Sequence, residues 1–205
     1  MAYDKTYLAL GDSYTIGEQV LPEENFPNQT VTLLNKIAAK DGNYLAPEII
    51  ATTGWTTDEL NTAINAAGIV KTYDIVSLLI GVNNQYRGRP VENFAMEFEQ
   101  LLQRSIGFAN NIPNHVFVLS IPDWGVTPFA ADRDGRKIAV EIDAYNNVCK
   151  RIAAALQVHY IDITRAQRSD GNKDEFLAAD KLHPSGKEYA KWAKQLADQI
   201  KTVLK

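Results

Sequence analysis

The sequence predicts an α/β fold in which a parallel sheet of five strands is covered by helices on both faces. Five short runs rich in Val, Ile, Leu and Tyr, at 3–10, 48–52, 73–80, 115–121 and 159–163, have the length of strands. They are continuous rather than alternating, as expected of strands buried on both sides of a parallel sheet. The stretches between them repeat apolar residues every three or four positions, the period of a helix with one buried face. Strand and helix alternate along the whole chain, the pattern of crossover-connected parallel strands.

The first run, 3–10, ends at Gly11, and the first helical stretch carries Val31, Leu34, Ile37 and Ala38. After the second and third runs, Phe94, Phe98, Leu101 and Leu102 mark another helix. Ile138, Ile142, Tyr145 and Val148 mark one more between the fourth and fifth runs. The last helix is expected to open after Pro184, whose fixed φ suits a first turn, and to run through Tyr189, Trp192, Ala193 and Leu196 to the end. The long irregular stretch is 122–135, punctuated by Pro, Asp and Gly, and it is predicted to form a wall or lid of a site.

At 205 residues, with no repeat or linker to divide it, the chain reads as one domain over 1–205. With 45% hydrophobic and 22% charged residues it has the balance of a globular protein, which argues against disorder and membrane insertion. A formal charge of −4 and the lack of a Lys/Arg run argue against nucleic acid as a partner. Cys149 is the only cysteine, so it is expected to pack as a small apolar residue rather than form a disulfide or thiolate metal site. The N-terminus enters the first strand without a secretory leader. The location expected from the chain as written is cytoplasmic, or periplasmic or secreted if a leader has been removed.

The chemistry starts at Gly11-Asp12-Ser13-Tyr14. A serine directly after the first strand stands at the carboxyl edge of the sheet, where open α/β proteins bind ligands. General-base catalysis on serine needs an imidazole, and the chain has three. His115 and His159 open strands and read as structural. His183 lies in the loop before the last helix, in Asp180-Lys181-Leu182-His183, with a carboxylate three residues upstream to orient it. Gly54 follows the second strand and Asn83 the third, so with the Ser13 N–H they offer three donors for a developing oxyanion at one sheet edge.

These residues match a known family. The blocks Gly11-Asp12-Ser13-Tyr14, Gly54, Gly81-Val82-Asn83-Asn84 and Asp180-Lys181-Leu182-His183 appear in order. By them the chain resembles the SGNH hydrolases, the GDSL-type lipases, esterases and acylhydrolases. The resemblance implies a flavodoxin-like three-layer α/β/α sandwich. It also implies Ser13 as nucleophile, His183 as base, Asp180 as its orienter, and an oxyanion hole of Ser13 N–H, Gly54 N–H and the Asn83 amide. The third block of the family usually ends in Asp, and Asn84 stands there instead. Asn83 is kept, so catalysis is expected to survive, while the loop's packing and any contact of that position with substrate are altered. The stretch 121–128 is also similar to one found in bacterial members.

The expected reaction is hydrolysis of a small, short-acyl carboxylic ester through an acyl-enzyme, carbohydrate esters among the candidates, with no metal or organic cofactor. The turn Asp132-Arg133-Asp134-Gly135 lacks the remaining ligands of a calcium loop and reads as a turn. Tyr14, Asn84, Tyr86, Trp124 and Phe129 are the candidate substrate contacts, and Arg87 and Arg89 candidate partners of a polar or anionic alcohol. Two rival classes are a flavodoxin-like phosphate-binding domain and a noncatalytic carbohydrate-binding scaffold. The first leaves Asp180 and His183 idle, and retention of every nucleophile, base and donor type argues against the second.

Overall fold

The computed structural model describes residues 4–37 and 43–204, and in it five parallel strands form one sheet. They are β1 (Tyr7–Gly11), β2 (Glu48–Ala51), β3 (Ile75–Leu79), β4 (Val116–Leu119) and β5 (His159–Ile161), in the order β2-β1-β3-β4-β5. β1, β3 and β4 are buried at every residue, whereas β2 at the edge is not. Continuous apolar runs thus mark the central strands, which are covered on both faces.

The helices are α1 (Ser13–Ile16), α2 (Phe26–Ile37), α3 (Thr57–Ala67), α4 (Val82–Tyr86), α5 (Val91–Phe108), α6 (Gly135–Ala155), α7 (Thr164–Asp170) and α8 (Gly186–Val203). α2 packs on α8, and α5 packs on α3 and α6, giving the two helical layers of a three-layer α/β/α sandwich. The predicted helical stripes face inward: Phe94, Phe98, Leu101 and Leu102 of α5, Ile138, Ile142 and Tyr145 of α6, and Tyr189, Trp192, Ala193 and Leu196 of α8 are all buried. Trp192 anchors the α2–α8 layer, its ring 6.3 Å from that of Phe26 and its Nε1 donating to Glu188 Oε1 at 3.0 Å.

Element ends differ from the sequence reading for local reasons. His115 belongs to a 3-10 turn begun by Pro113, so β4 starts one residue later. α8 begins at Gly186, after Pro184 as expected, and Pro184 itself pairs as an isolated bridge with Leu177. Tyr3 and Ala38 lie outside the described residues. α3, which the sequence reading did not mark, opens with a reciprocal capping box between Thr56 and Glu59, a sequence signal of a helix start. The stretch 122–135 holds two 3-10 turns, and Asp134 caps α6 by accepting from the N–H groups of Arg136 and Lys137. Cys149 is buried, which pushes its thiol up. His159 stacks on Phe117 and shares a 2.7 Å hydrogen bond with Asn114 Oδ1, a structural setting. Among the described residues no helix is long and apolar enough to cross a membrane.

The sheet order sets the place of a site. From β1 the chain winds outward to β2 and then crosses back to β3 on the other side, so the switch in winding falls between β1 and β3. A crevice forms outside the carboxyl ends of strands at such a point. The segments after β1, β2 and β3 carry Ser13, Gly54 and Asn83.

Candidate active site

A cavity of about 230 Å³ lies at that switch point. Ser13, Gly54, Asn83 and His183 line it, although they are up to 170 residues apart in the chain. Tyr14, Tyr86, Trp124 and Phe129 complete most of its wall, with Thr53, Val82 and Leu182. The stretch 122–135 contributes Trp124 and Phe129 as wall.

Ser13 opens α1, with Asp12 as the N-cap residue whose Oδ1 accepts from the Tyr14 N–H at 3.0 Å. Gly17 closes the single turn with φ of 79°, so the serine sits on a short element pinned at both ends. Gly54 has φ of 85°, a left-handed conformation in which a side chain would be strained. That turn directs the Thr53-Gly54 backbone at the cavity. α4 holds the turn through two successive carbonyls: Asn83 Nδ2 donates to Trp55 O at 2.9 Å, and Arg87 Nη2 donates to Gly54 O at 2.6 Å. Asn83 and Arg87 are four residues apart on a short helix and therefore share a face. The sequence reading missed Arg87 in this bracing role. The i, i+4 spacing after the third block was the signal available.

Two sequence expectations change here. Asn84 does not line the cavity: it is fully buried and faces away from it. Consecutive helical residues point about 100° apart, so when Asn83 faces the cavity Asn84 turns toward α3. Its Oδ1 accepts from the Thr57 N–H at 3.1 Å and its Nδ2 donates to Thr57 Oγ1 at 2.7 Å. Thr57 Oγ1 in turn donates to Glu97, so a donor is needed at position 84, which an amide supplies and an ionised acid does not. Arg87 and Arg89 also leave the cavity, Arg87 for Gly54 O and Glu59 and Arg89 for Asp58.

His183 and Asp180 form the other wall. His183 Nδ1 lies 2.6 Å from Asp180 Oδ2, while Asp180 Oδ1 accepts from the N–H groups of Leu182 and His183, both at 3.0 Å. The carboxylate is thereby locked to its own loop and to the imidazole. Burial alone would raise the Asp180 pKa. The hydrogen bonds from the His183 ring and the two backbone N–H groups outweigh it and hold the carboxyl below its ordinary range. The ring of Tyr14 supports His183 from beneath, with centroids 5.6 Å apart, and the Phe129 N–H donates to Lys181 O at 3.2 Å, joining the two walls.

Asp12 behaves oppositely. It is buried with no partner on Oδ2, and desolvation pushes its carboxyl up to about 7 from an ordinary 3.8, against the hydrogen bond from Tyr14. Between about pH 4 and 7 the folded protein then keeps a proton that the unfolded chain releases, so stability falls as pH rises through that window. Asp12→Asn keeps an acceptor for Tyr14 N–H and never ionises. It is expected to be more stable than the parent by roughly 2–4 kcal/mol near pH 8, the gap closing toward pH 4. Urea unfolding at the two pH values checks this, and a gap independent of pH would refute it.

Residues 9–199 match the GDSL-like Lipase/Acylhydrolase family. The chain belongs to that family. It is accordingly a carboxylic ester hydrolase. No curated protein sequence matches it. Among solved structures it is similar to the acetylxylan esterase Axe2 from Geobacillus stearothermophilus (TM-score 0.74, 17% identity, covering 96% of this chain and 94% of that one). It is also similar to the psychrotrophic esterase EstA from Pseudoalteromonas sp., in a structure inhibited by monoethylphosphonate (0.72, 18%, 97% and 98%). A lipase/acylhydrolase from Enterococcus faecalis gives 0.69 at 24% identity, covering 100% and 98%. At such identities these likenesses speak for the shared fold.

Proposed function

We propose that this family member is a serine esterase acting as one domain on small, short-acyl esters, acetylated carbohydrates among them. The observation that carries the reading is the 2.6 Å contact of His183 with Asp180, in a cavity that His183 shares with Ser13. His183 Nε2 takes the Ser13 proton as Ser13 Oγ attacks the ester carbonyl, and returns it to the departing alcohol. Water then attacks the acyl-enzyme, again with His183 as base, and frees Ser13 and the acid. Asp180 keeps the proton on Nδ1, leaving Nε2 as the acceptor, and stabilises the imidazolium.

The tetrahedral oxyanion is held by the Ser13 and Gly54 N–H groups and by Asn83, whose amide has a second hydrogen beyond the one given to Trp55. The cavity, about 230 Å³, is smaller than the ~300–1,000 Å³ usual for drug-sized ligands, which favours a short acyl group. Phosphonate inhibition of EstA and the acetylxylan specificity in the name of Axe2 support the serine chemistry and the carbohydrate ester respectively.

Labelling with a fluorophosphonate, followed by intact mass and peptide mapping, tests the nucleophile. One adduct on Ser13 is expected, strongly diminished in His183→Ala. Equal labelling of Ser13→Ala would refute the assignment.

A further inference from the structure

The turn at Gly54 carries one of the oxyanion donors and has almost no packing to hold it. It lies between β2 and α3, where Thr52 and Thr53 are exposed. A Cβ built on Gly54 meets a single atom within 4 Å, Arg87 Nη2 at 3.8 Å. Inside the turn one long backbone bond, from the Trp55 N–H to Thr52 O at 3.3 Å, closes the loop. A glycine at φ of 85° has wide freedom of its own, so the direction of its N–H depends on the side chains that grip the segment.

α4 supplies most of that grip. Asn83 Nδ2 donates to Trp55 O, Asn84 Oδ1 accepts from the Thr57 N–H, and Arg87 Nη2 donates to Gly54 O at 2.6 Å. On the other flank the Thr53 hydroxyl donates to Glu18. Only Arg87 holds Gly54 itself. Asn83 has a second duty, since its remaining amide hydrogen is the one offered to the oxyanion. The Arg87 guanidinium is aimed by Glu59, whose Oε1 lies 3.3 Å from Nη1 and whose Oε2 accepts from the Thr56 N–H at 2.8 Å. Its planar fork therefore ties the glycine to the first turn of α3.

We infer that Arg87 is a positioning residue of the oxyanion hole: without touching substrate, it keeps the Gly54 N–H directed at the carbonyl oxygen of the ester attacked by Ser13. This rests on the esterase reading above.

Steady-state kinetics with p-nitrophenyl acetate tests it. Losing a whole oxyanion donor costs about 10²–10³ in kcat, and a donor left in place but loosened costs less. Arg87→Ala is expected to lower kcat by about 10- to 50-fold with KM within about twofold, and Arg87→Lys, which keeps a charged donor, to restore most of the loss. The rate of Ser13 labelling by a fluorophosphonate, whose phosphoryl oxygen takes the place of the oxyanion, should fall in proportion to kcat. The Arg87–Glu59 pair is half-exposed and such pairs add little to stability, so the urea midpoint should stay near that of the parent. A kcat within twofold of the parent, or a loss confined to KM, would overturn the role of Arg87 alone. If the parent does not turn over p-nitrophenyl acetate in a Ser13-dependent way, the esterase reading falls and this inference with it.

Discussion

Asp180→Asn is expected to lower kcat for a p-nitrophenyl ester by about 10⁴ while leaving the fold intact, the size of loss seen when an orienting carboxylate is made an amide elsewhere. The geometry gives the reason. Asp180 Oδ1 accepts from the Leu182 and His183 N–H groups, and an asparagine keeps its carbonyl oxygen there, so the loop retains its shape. The amide nitrogen then replaces Oδ2, which lies 2.6 Å from His183 Nδ1. A donor at that place requires Nδ1 to be unprotonated, which puts the ring proton on Nε2, facing the serine it is proposed to deprotonate. The imidazole would be neutral, well placed and in the wrong tautomer.

The same hydrogen bonds hold the Asp180 carboxyl below its ordinary range, despite burial that acts the other way. Its contribution to stability is present above the ordinary carboxylate pKa and is lost as pH falls through the depressed one. The Asn variant should therefore unfold more easily than the parent at neutral pH, with the difference fading in acid. Urea midpoints at two pH values check this. A kcat loss below about tenfold would show that Asp180 does not set the tautomer.

The strands and buried helices were legible in the sequence because burial of one helix face imposes a period, as in Phe94, Phe98, Leu101 and Leu102, and burial of both strand faces a continuous run, as at 75–79. The sheet edge followed, since the first three blocks of the family lie just after strands and the fourth just before the last helix. Position within a short helix was not legible. Asn83 and Asn84 are adjacent and chemically identical, and only the turn of α4 decides that one lines the cavity and the other holds Thr57. Arg87 was visible as a cation but not as a brace, because its partner is a backbone carbonyl, Gly54 O, that has no signature in sequence. Asp12 has the residue type of a helix cap, but the burial that leaves its Oδ2 unpartnered and raises its pKa comes from the fold.

Gly11 makes the same point with the largest effect on stability. In the sequence it is the first residue of a motif, with no indication that its role differs from that of a turn glycine. In the structure it is the last residue of β1, paired with Leu79 of β3 on one side and Ala51 of β2 on the other. A Cβ there would fall 2.4 Å from Leu79 O and 2.0 Å from Thr15 Oγ1. The threonine is fully buried and β-branched, with little rotamer freedom to retreat. The carbonyl belongs to the central ladder and moves only if the strands part.

Gly11→Ala is therefore expected to cost more than about 4 kcal/mol, a large share of a typical domain's stability, or to yield no folded protein. Gly68→Ala provides the contrast: that glycine has φ of 57° but nothing within 4 Å of a built Cβ, so it should cost only about 1–2 kcal/mol. Adding Thr15→Ala to Gly11→Ala removes the clash with the hydroxyl and leaves those with Leu79 O and with the Cβ at position 15, which lies 2.7 Å away. If the backbone contact dominates, the double variant stays unfolded in urea titrations and thermal melts. Recovery to near-parent stability would instead place the cost in the Thr15 side chain, and a single Gly11→Ala variant as stable as Gly68→Ala would show that β1 and β3 can separate at the very edge that presents Ser13.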